Sequence, residues 1–252
     1  FAMERKKRLR AEGEVSAARK IQKSLLPRTF TTLPGLELYG KLLPATEASG
    51  DYFDFVVPMP AIGESTVGIV VGDVTGHGLG PAMLMVLTHG CIRSLALVES
   101  DLSQILRQTN EVIIRTRNQL LITLFLGYVD STSGRLIYAS AGHPSWHLSE
   151  AGDKPLETTG VPLGLESSQW EIRSTEPLSS GDILLICTDG ILEARNQNGD
   201  MIGAEKILEL VRKHREESPE QIVERVQSCV AEHTESVTRK DDMTIVIVKV
   251  VD

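Results

Sequence analysis

Cysteine is scarce in this chain of 252 residues: Cys91, Cys187 and Cys229 stand far apart, and no CxxC pair occurs. That pattern excludes a disulfide framework and a thiolate zinc knuckle, and it agrees with a reducing, cytoplasmic compartment. Positive charge is also in deficit. Lys and Arg total 26 against 34 Asp and Glu, a net charge of -8. Nucleic acid is therefore not an expected partner, because phosphate-backbone binding needs a basic face. A local cation site remains open, since clustered acids attract divalent metals. Long apolar runs are missing too. The nearest is LLITLFLGYV at 120–129, short of the roughly 18 residues a membrane span requires and better explained as a buried strand. No membrane segment, secretory signal, internal repeat or low-complexity tract is expected.

What is present is ordinary for a soluble globular domain: 41% hydrophobic and 24% charged residues. The opening ERKKRLRAEGEVSAARKIQKSLLP (4–27) is rich in helix formers, with Ala11, Val15, Ala18 and Leu25 near heptad spacing and Ile21 beside them. Pro27 ends the run. This segment, 1–27, reads either as a solvated terminal helix or as a short coiled-coil seam. Its abrupt charged start suggests a piece of a longer protein. Residues 28–252 read as one domain, with strands expected at 36–43, 51–57, 66–74, 121–129, 135–141, 145–149, 182–188 and 244–251. Helices are expected at 81–97, 101–117, 204–214 and 219–231. Pro81 suits a first helical turn, Asp101 with Gln104 resembles a cap, and Ser218-Pro219 opens the last helix. Strands joined by turns as short as DSTSG (130–134) favour antiparallel sheets with helices grouped on their faces.

Acids recur where these strands meet turns. Asp73 ends the run VGIVVGD, Asp189 follows DILLICT, Asp241 and Asp242 precede MTIVIVKV, and Asp51 and Asp54 open SGDYFDFVV. In an antiparallel sheet the end of one strand and the start of its neighbour share an edge, which would gather these carboxylates into one cleft. Any one of the motifs alone reads most simply as a turn or a solvated edge. Together they point to a cation, and all-oxygen ligation favours Mg2+ or Mn2+ over zinc. Two such ions about 4 Å apart activate water and clamp a phosphoryl group for in-line attack. Gly72, Gly76, Gly78 and Gly190 would let backbone bend tightly around them.

The stretches SGDYFDF, GDVTGHGLGPAMLM, TLFLGYVD, IYASAGHP, GVPLGL, ICTDGILEARN and DDMTIVIV resemble, in order, the motifs of PPM-type metal-dependent protein serine/threonine phosphatases, most closely the bacterial SpoIIE-like branch. The resemblance runs from about residue 34 to 251. It implies an α+β sandwich of two antiparallel sheets flanked by helices, with a pair of Mn2+ or Mg2+ ions at one edge. Asp73 would bridge both ions and the carbonyl of Val74 would join one of them. Asp189 and Asp241 would complete the other, with Asp51 attached more loosely through water. Catalysis would rest on Asp73, Asp189 and Asp241, while Asp54, Gly76, His77, Gly190 and Asp242 would stand behind the ligands.

Two departures accompany the resemblance. The DGH triplet of the eukaryotic enzymes is absent: the histidine falls later, at His77, where it would cap or orient the turn. No counterpart of their phosphate-binding arginine is evident, and His143 of AGHP reads as a structural residue of a tight loop. The branch implies a partner as well, a phosphorylated STAS-domain anti-sigma-factor antagonist in a partner-switching pathway. The first helix resembles the linker through which upstream sensor domains regulate and dimerise such enzymes, which implies a homodimer through that helix. A scaffold that kept the fold without catalysis is the competing class, and the complete acid set counts against it. A haloacid-dehalogenase-type hydrolase needs a DxDx(T/V) motif that is absent, and a receiver domain needs a parallel α/β pattern.

Overall fold

The computed structural model describes residues 2–27, 30–46, 48–56, 63, 65–117, 119–166, 168–235, 237 and 239–252. The chain runs α1 (Ala2–Leu25), β1 (Phe30–Leu33), β2 (Leu36–Leu43), β3 (Tyr52–Val56), β4 (Thr66–Val74), α2 (Leu79–Ala96), α3 (Leu102–Arg115), β5 (Ile122–Asp130) and β6 (Leu136–Ala141). It continues through β7 (Ser145–Ser149), β8 (Gly152–Pro155), β9 (Arg173–Ser174), β10 (Ile183–Cys187), α4 (Asp189–Leu192), α5 (Ala204–Lys213), α6 (Pro219–Thr234) and β11 (Met243–Val250).

The strands form a six-stranded sheet, β1-β2-β11-β10-β7-β8, and a five-stranded sheet, β3-β4-β5-β6-β9. The pairings within both are antiparallel. Period-2 alternation decides which face each residue takes. Along β10, Leu184 and Ile186 point between the sheets and join Phe53, Ile69, Phe125 and Val246. Ile183, Leu185 and Cys187 point outward, under Ile207 and Val211 of α5 and Ile222 and Val226 of α6. On the other side, Val70, Leu124 and Leu126 meet Ile92 of α2 and Leu106 of α3. Helices thus cover both outer faces of a two-sheet sandwich, the PPM-like architecture expected.

Local chemistry fixes the helix starts. The Asp101 carboxylate accepts from the Gln104 N–H at 3.1 Å, and Ser218 with Gln221 closes a capping box ahead of Pro219. The expected strands and helices are present with ends shifted by a few residues, except that position 57 lies outside the described residues. Four short elements went unforeseen: β1, β8, β9 and α4. Each is four residues or fewer, too short for periodicity to register.

Among the described residues, α2 is long and apolar enough to cross a membrane by length and composition, with a mean hydropathy of 1.2. His, Gly, Ser and Arg93 interrupt it, so no continuous apolar run shows in the sequence. Its buried face packs on β3, β4 and α3.

Candidate metal centre

The two sheets present their acids at one common edge. Asp51 immediately precedes β3 and Asp73 lies next to the end of β4, and these strands pair with Tyr52 opposite Gly72. Asp189 follows β10 and Asp241 precedes β11, which pair with Cys187 opposite Ile245. The antiparallel argument therefore holds within each sheet, and sandwich packing joins the two pairs. The contact between them is explicit: the hydroxyls of Thr188 and Thr244 each donate to Asp51 Oδ2 at 2.8 Å.

Electrostatics register the crowding. Burial is the first cause that raises Asp51 well above the ordinary carboxylate range, followed by the charge of Asp73. Asp73 is pushed up to about 6, first by burial and then by Asp189, Asp241 and Asp242, while a hydrogen bond with Asp51 opposes the rise. Asp189 and Asp241 stand at the open mouth of the cleft, and loss of surrounding water still raises both, with Asp241 adding to the effect on Asp189. Carboxylates held at this density without a cation favour protonation, as like charges must.

The donor set suits a hard divalent ion: carboxylates and one carbonyl, with no thiolate or imidazole among the ligand candidates. A Cβ on Gly50 would come within 3.0 Å of the Val74 carbonyl oxygen, so glycine there keeps that oxygen open. A Cβ on Gly190 would strike the Asp242 carbonyl oxygen at 1.9 Å. Gly76 and Gly78 take φ of +88° and +93° in the turn after Asp73, where side chains are strained. Among the described residues, no three His, Cys, Asp or Glu side chains are gathered tightly enough to enclose an ion as they stand. Asp51 has one oxygen committed to the two threonines, and Asp242 is turned away altogether.

Asp242 is a clamp. Its carboxylate accepts from the backbone N–H of Ala45 at 2.7 Å and of Gly50 at 2.8 Å, pinning the loop that leads into Asp51. Asp54 is also structural: it pairs with Arg93 Nε at 2.5 Å and stands 3.3 Å from His89 Nε2, tying β3 to α2. Burial would raise its carboxyl, but His89 and Arg93 outweigh that and hold it below the usual range. His77 is exposed on the cleft side, where its charge lowers Asp241. It does not cap α2, whose N-cap is Gly78 with no side-chain hydrogen bond. His143 is buried against Thr123 at 2.9 Å, with burial depressing it to about 3.

Sequence reasoning missed three participants. Thr188 and Thr244 flank the acids in TDG and DDMT, yet a threonine beside a strand reads as β-propensity. Gln22 of α1 is the third. Its side-chain amide donates to the carbonyls of Ser49 at 2.9 Å and Ala82 at 3.1 Å, and its oxygen accepts from the Ser49 N–H at 3.1 Å. Ile21, the apolar neighbour in the heptad reading, is 59% exposed, and the side chain of Ala11 lies outside the described residues.

The family model of Stage II sporulation protein E (SpoIIE) matches residues 63–251. Phosphoserine phosphatase RsbU of Bacillus subtilis (strain 168) is 25% identical over 242 residues, covering 94% of this chain and 70% of RsbU. Protein IcfG of a Synechocystis species is 26% identical over 265 residues, covering 93% of this chain and 41% of IcfG, so the chain spans less than half of that relative. The SiaA-PP2C domain of Pseudomonas aeruginosa superposes with a TM-score of 0.82 at 20% identity, covering 100% of both chains. The catalytic domain of the serine/threonine phosphatase PstP, solved with two manganese ions, superposes at 0.65 with 15% identity over 86% of this chain and 99% of its own. At such identities the two structures establish the shared fold.

Proposed function

The chain belongs to the SpoIIE family, and from that premise we propose that it is a metal-dependent protein serine/threonine phosphatase. Its substrate would be phosphoserine or phosphothreonine on a STAS-domain antagonist of an anti-sigma factor, within a partner-switching pathway. The convergence of Asp51, Asp73, Asp189 and Asp241 from two sheets onto one edge carries this reading. The phosphoserine phosphatase RsbU among its relatives supports it.

Asp73, Asp189, Asp241 and the Val74 carbonyl would hold two Mn2+ or Mg2+ ions, with Asp51 contributing through water. When bound, such a pair activates water near neutral pH and neutralises phosphoryl charge. Asp73, next to Asp51 and within the fields of Asp189 and Asp241, would be shared between the ions. The threonine hydroxyls fix one Asp51 oxygen and leave the other for the cleft. Cys187 takes no part as a nucleophile: it is fully buried, and burial pushes its thiol far above the reactive range. Residues 28–252 would form the catalytic unit and 1–27 a linker helix. Through that helix an upstream sensor domain would act and a second copy would pair, with Ile21 offering an unpartnered apolar surface. The scarcity of cysteine accords with a cytoplasmic setting.

Mn2+-dependent hydrolysis of p-nitrophenyl phosphate, abolished by chelator, tests the reading. Asp73→Asn is expected to remove that activity, because an amide carries no charge to balance two cations. Retained Mn2+-dependent turnover in Asp73→Asn would sink the ligand assignment. A folded parent protein that binds Mn2+ without any turnover would favour a non-catalytic scaffold.

A further inference from the structure

Beside the acid edge lies a cavity of about 700 Å³, bounded by α4, the loop that follows it, α6 and the start of β11. This volume falls in the range of built ligand sites, roughly 300–1,000 Å³. Gly190 and Asp241 belong to its wall, so it is continuous with the candidate metal centre. Gly190 lies close against the Asp242 carbonyl, where a Cβ would come within 1.9 Å, so the backbone of the TDG turn itself forms the wall between cavity and acids.

The cavity has two chemical zones. Ile191, Ala194, Val230 and Met243 make an apolar floor. Arg195, Arg239 and Lys240 stand at its edge, a cluster of three cations on a chain whose net charge is -8. Three acids also line the cavity, Glu193, Glu235 and Asp241, and Glu235 is engaged by the Gln197 amide at 2.6 Å. Arg239 reaches the Pro44 carbonyl at 3.3 Å, which holds its positive charge beside the loop that leads to Asp51.

We propose that this cavity is the docking groove for the segment of the phosphoprotein substrate that flanks the phosphorylated residue. The proposal rests on the phosphatase reading above. A phosphoryl group delivered to Asp73 and Asp241 brings its own chain across Gly190, so one flank of that chain enters the groove. The floor takes an apolar side chain adjacent to the phosphoserine. The three cations attract the dianionic phosphate and any acidic neighbour, a role the acid edge cannot perform for itself. The selected substrate is thus an anionic phosphosegment with a bulky apolar residue next to the modified serine or threonine.

Ala231 lines the groove from the exposed side of α6, where a larger side chain fills space without entering the core. The probes are p-nitrophenyl phosphate and two short phosphoserine peptides, one with leucine and one with glycine beside the phosphoserine. Ala231→Trp is expected to lower kcat/KM for the leucine peptide about tenfold, through KM, while p-nitrophenyl phosphate turnover stays at the parent rate. Parallel loss on peptide and small substrate, or no loss on either, overturns the groove. Fluorescence polarisation of the labelled leucine peptide in chelator separates the two readings. A parent protein that binds this peptide more tightly than Ala231→Trp, yet shows no Mn2+-dependent turnover, keeps the groove and refutes the phosphatase. Equal binding by the two proteins refutes the groove.

Discussion

Asp51 shows how much of a buried acid's behaviour is set by the hydroxyls beside it. Its buried carboxylate is oriented by two hydroxyls that are themselves fully buried, Thr188 and Thr244. Thr188 has a second task, because its oxygen also accepts from the Thr244 N–H at 2.9 Å. Thr244 Oγ1 donates to Asp51 at 2.8 Å, so Thr244→Val is the cleaner deletion. A hydrogen bond to a charged group contributes roughly 1.5–3 kcal/mol, and partners that orient a metal ligand typically matter about 10–100-fold in metal affinity. We therefore expect Thr244→Val to weaken Mn2+ binding about tenfold by calorimetry, and Thr244→Ser to restore it. Valine and serine variants with equal affinity would show that the hydroxyl is merely packed. The sequence exposed the acid and hid its keeper, because hydroxyl direction depends on which strands become neighbours.

At the scale of elements, α1 meets the sandwich through a polar side chain that its apolar spacing did not single out. Gln22 joins α1 to the Ser49 backbone, two residues before Asp51, and to Ala82 in the first turns of α2. Its three hydrogen bonds couple the helix to the loop that leads into Asp51 and to α2, which follows the Asp73 turn. Leaving buried backbone groups unpaired costs about 1–3 kcal/mol each. Gln22→Ala is accordingly expected to shift the population away from the metal-competent arrangement, seen as a several-fold higher Mn2+ concentration for half-maximal rate. Ile21→Asp, on the exposed side, is expected to reduce self-association in sedimentation while leaving that Mn2+ response in place. A Gln22→Ala protein with the parent's Mn2+ response would reduce α1 to a passive tail. The heptad arithmetic identified a helix correctly, but the contact of Gln22 escaped it, since a glutamine scores as surface until its partners are known.

For the whole molecule, the crowded edge predicts a pH dependence of stability in chelator. The folded-state values of Asp51 and Asp73 lie above the unfolded value near 3.9, so folding favours their protonated forms. The stability they confer is complete below that unfolded value and is lost as pH rises through about 6, the value for Asp73. Asp54 has the opposite sign: its lowered value makes its contribution present above about 3.9 and lost as pH falls below it. In chelator the urea midpoint is therefore expected to fall between pH 5 and pH 8, and Mn2+ at pH 8 to restore it by binding the folded state. A midpoint that is flat across that interval in chelator, or indifferent to Mn2+, would contradict the crowding.

The sequence by itself determined the class of the molecule. Continuous apolar runs such as ILLIC and VIV marked strands buried on both faces, short turns made them antiparallel, and the caps at Asp101 and Ser218 began helices where they are found. These are local properties, fixed by the periodicity of the chain and the chemistry of adjacent residues. It also marked the acids as strand-end residues, and antiparallel pairing alone joins Asp51 to Asp73 and Asp189 to Asp241. Only the tertiary structure decided that the two pairs share an edge, because nothing local sets how one sheet is placed on another. The same packing sent Asp54 to Arg93, turned Asp242 onto the Ala45–Gly50 loop, and aimed Thr188 and Thr244 at Asp51. Each of those outcomes depends on residues 39 to 197 positions apart, and long-range contacts of that kind are written in no single stretch of the chain.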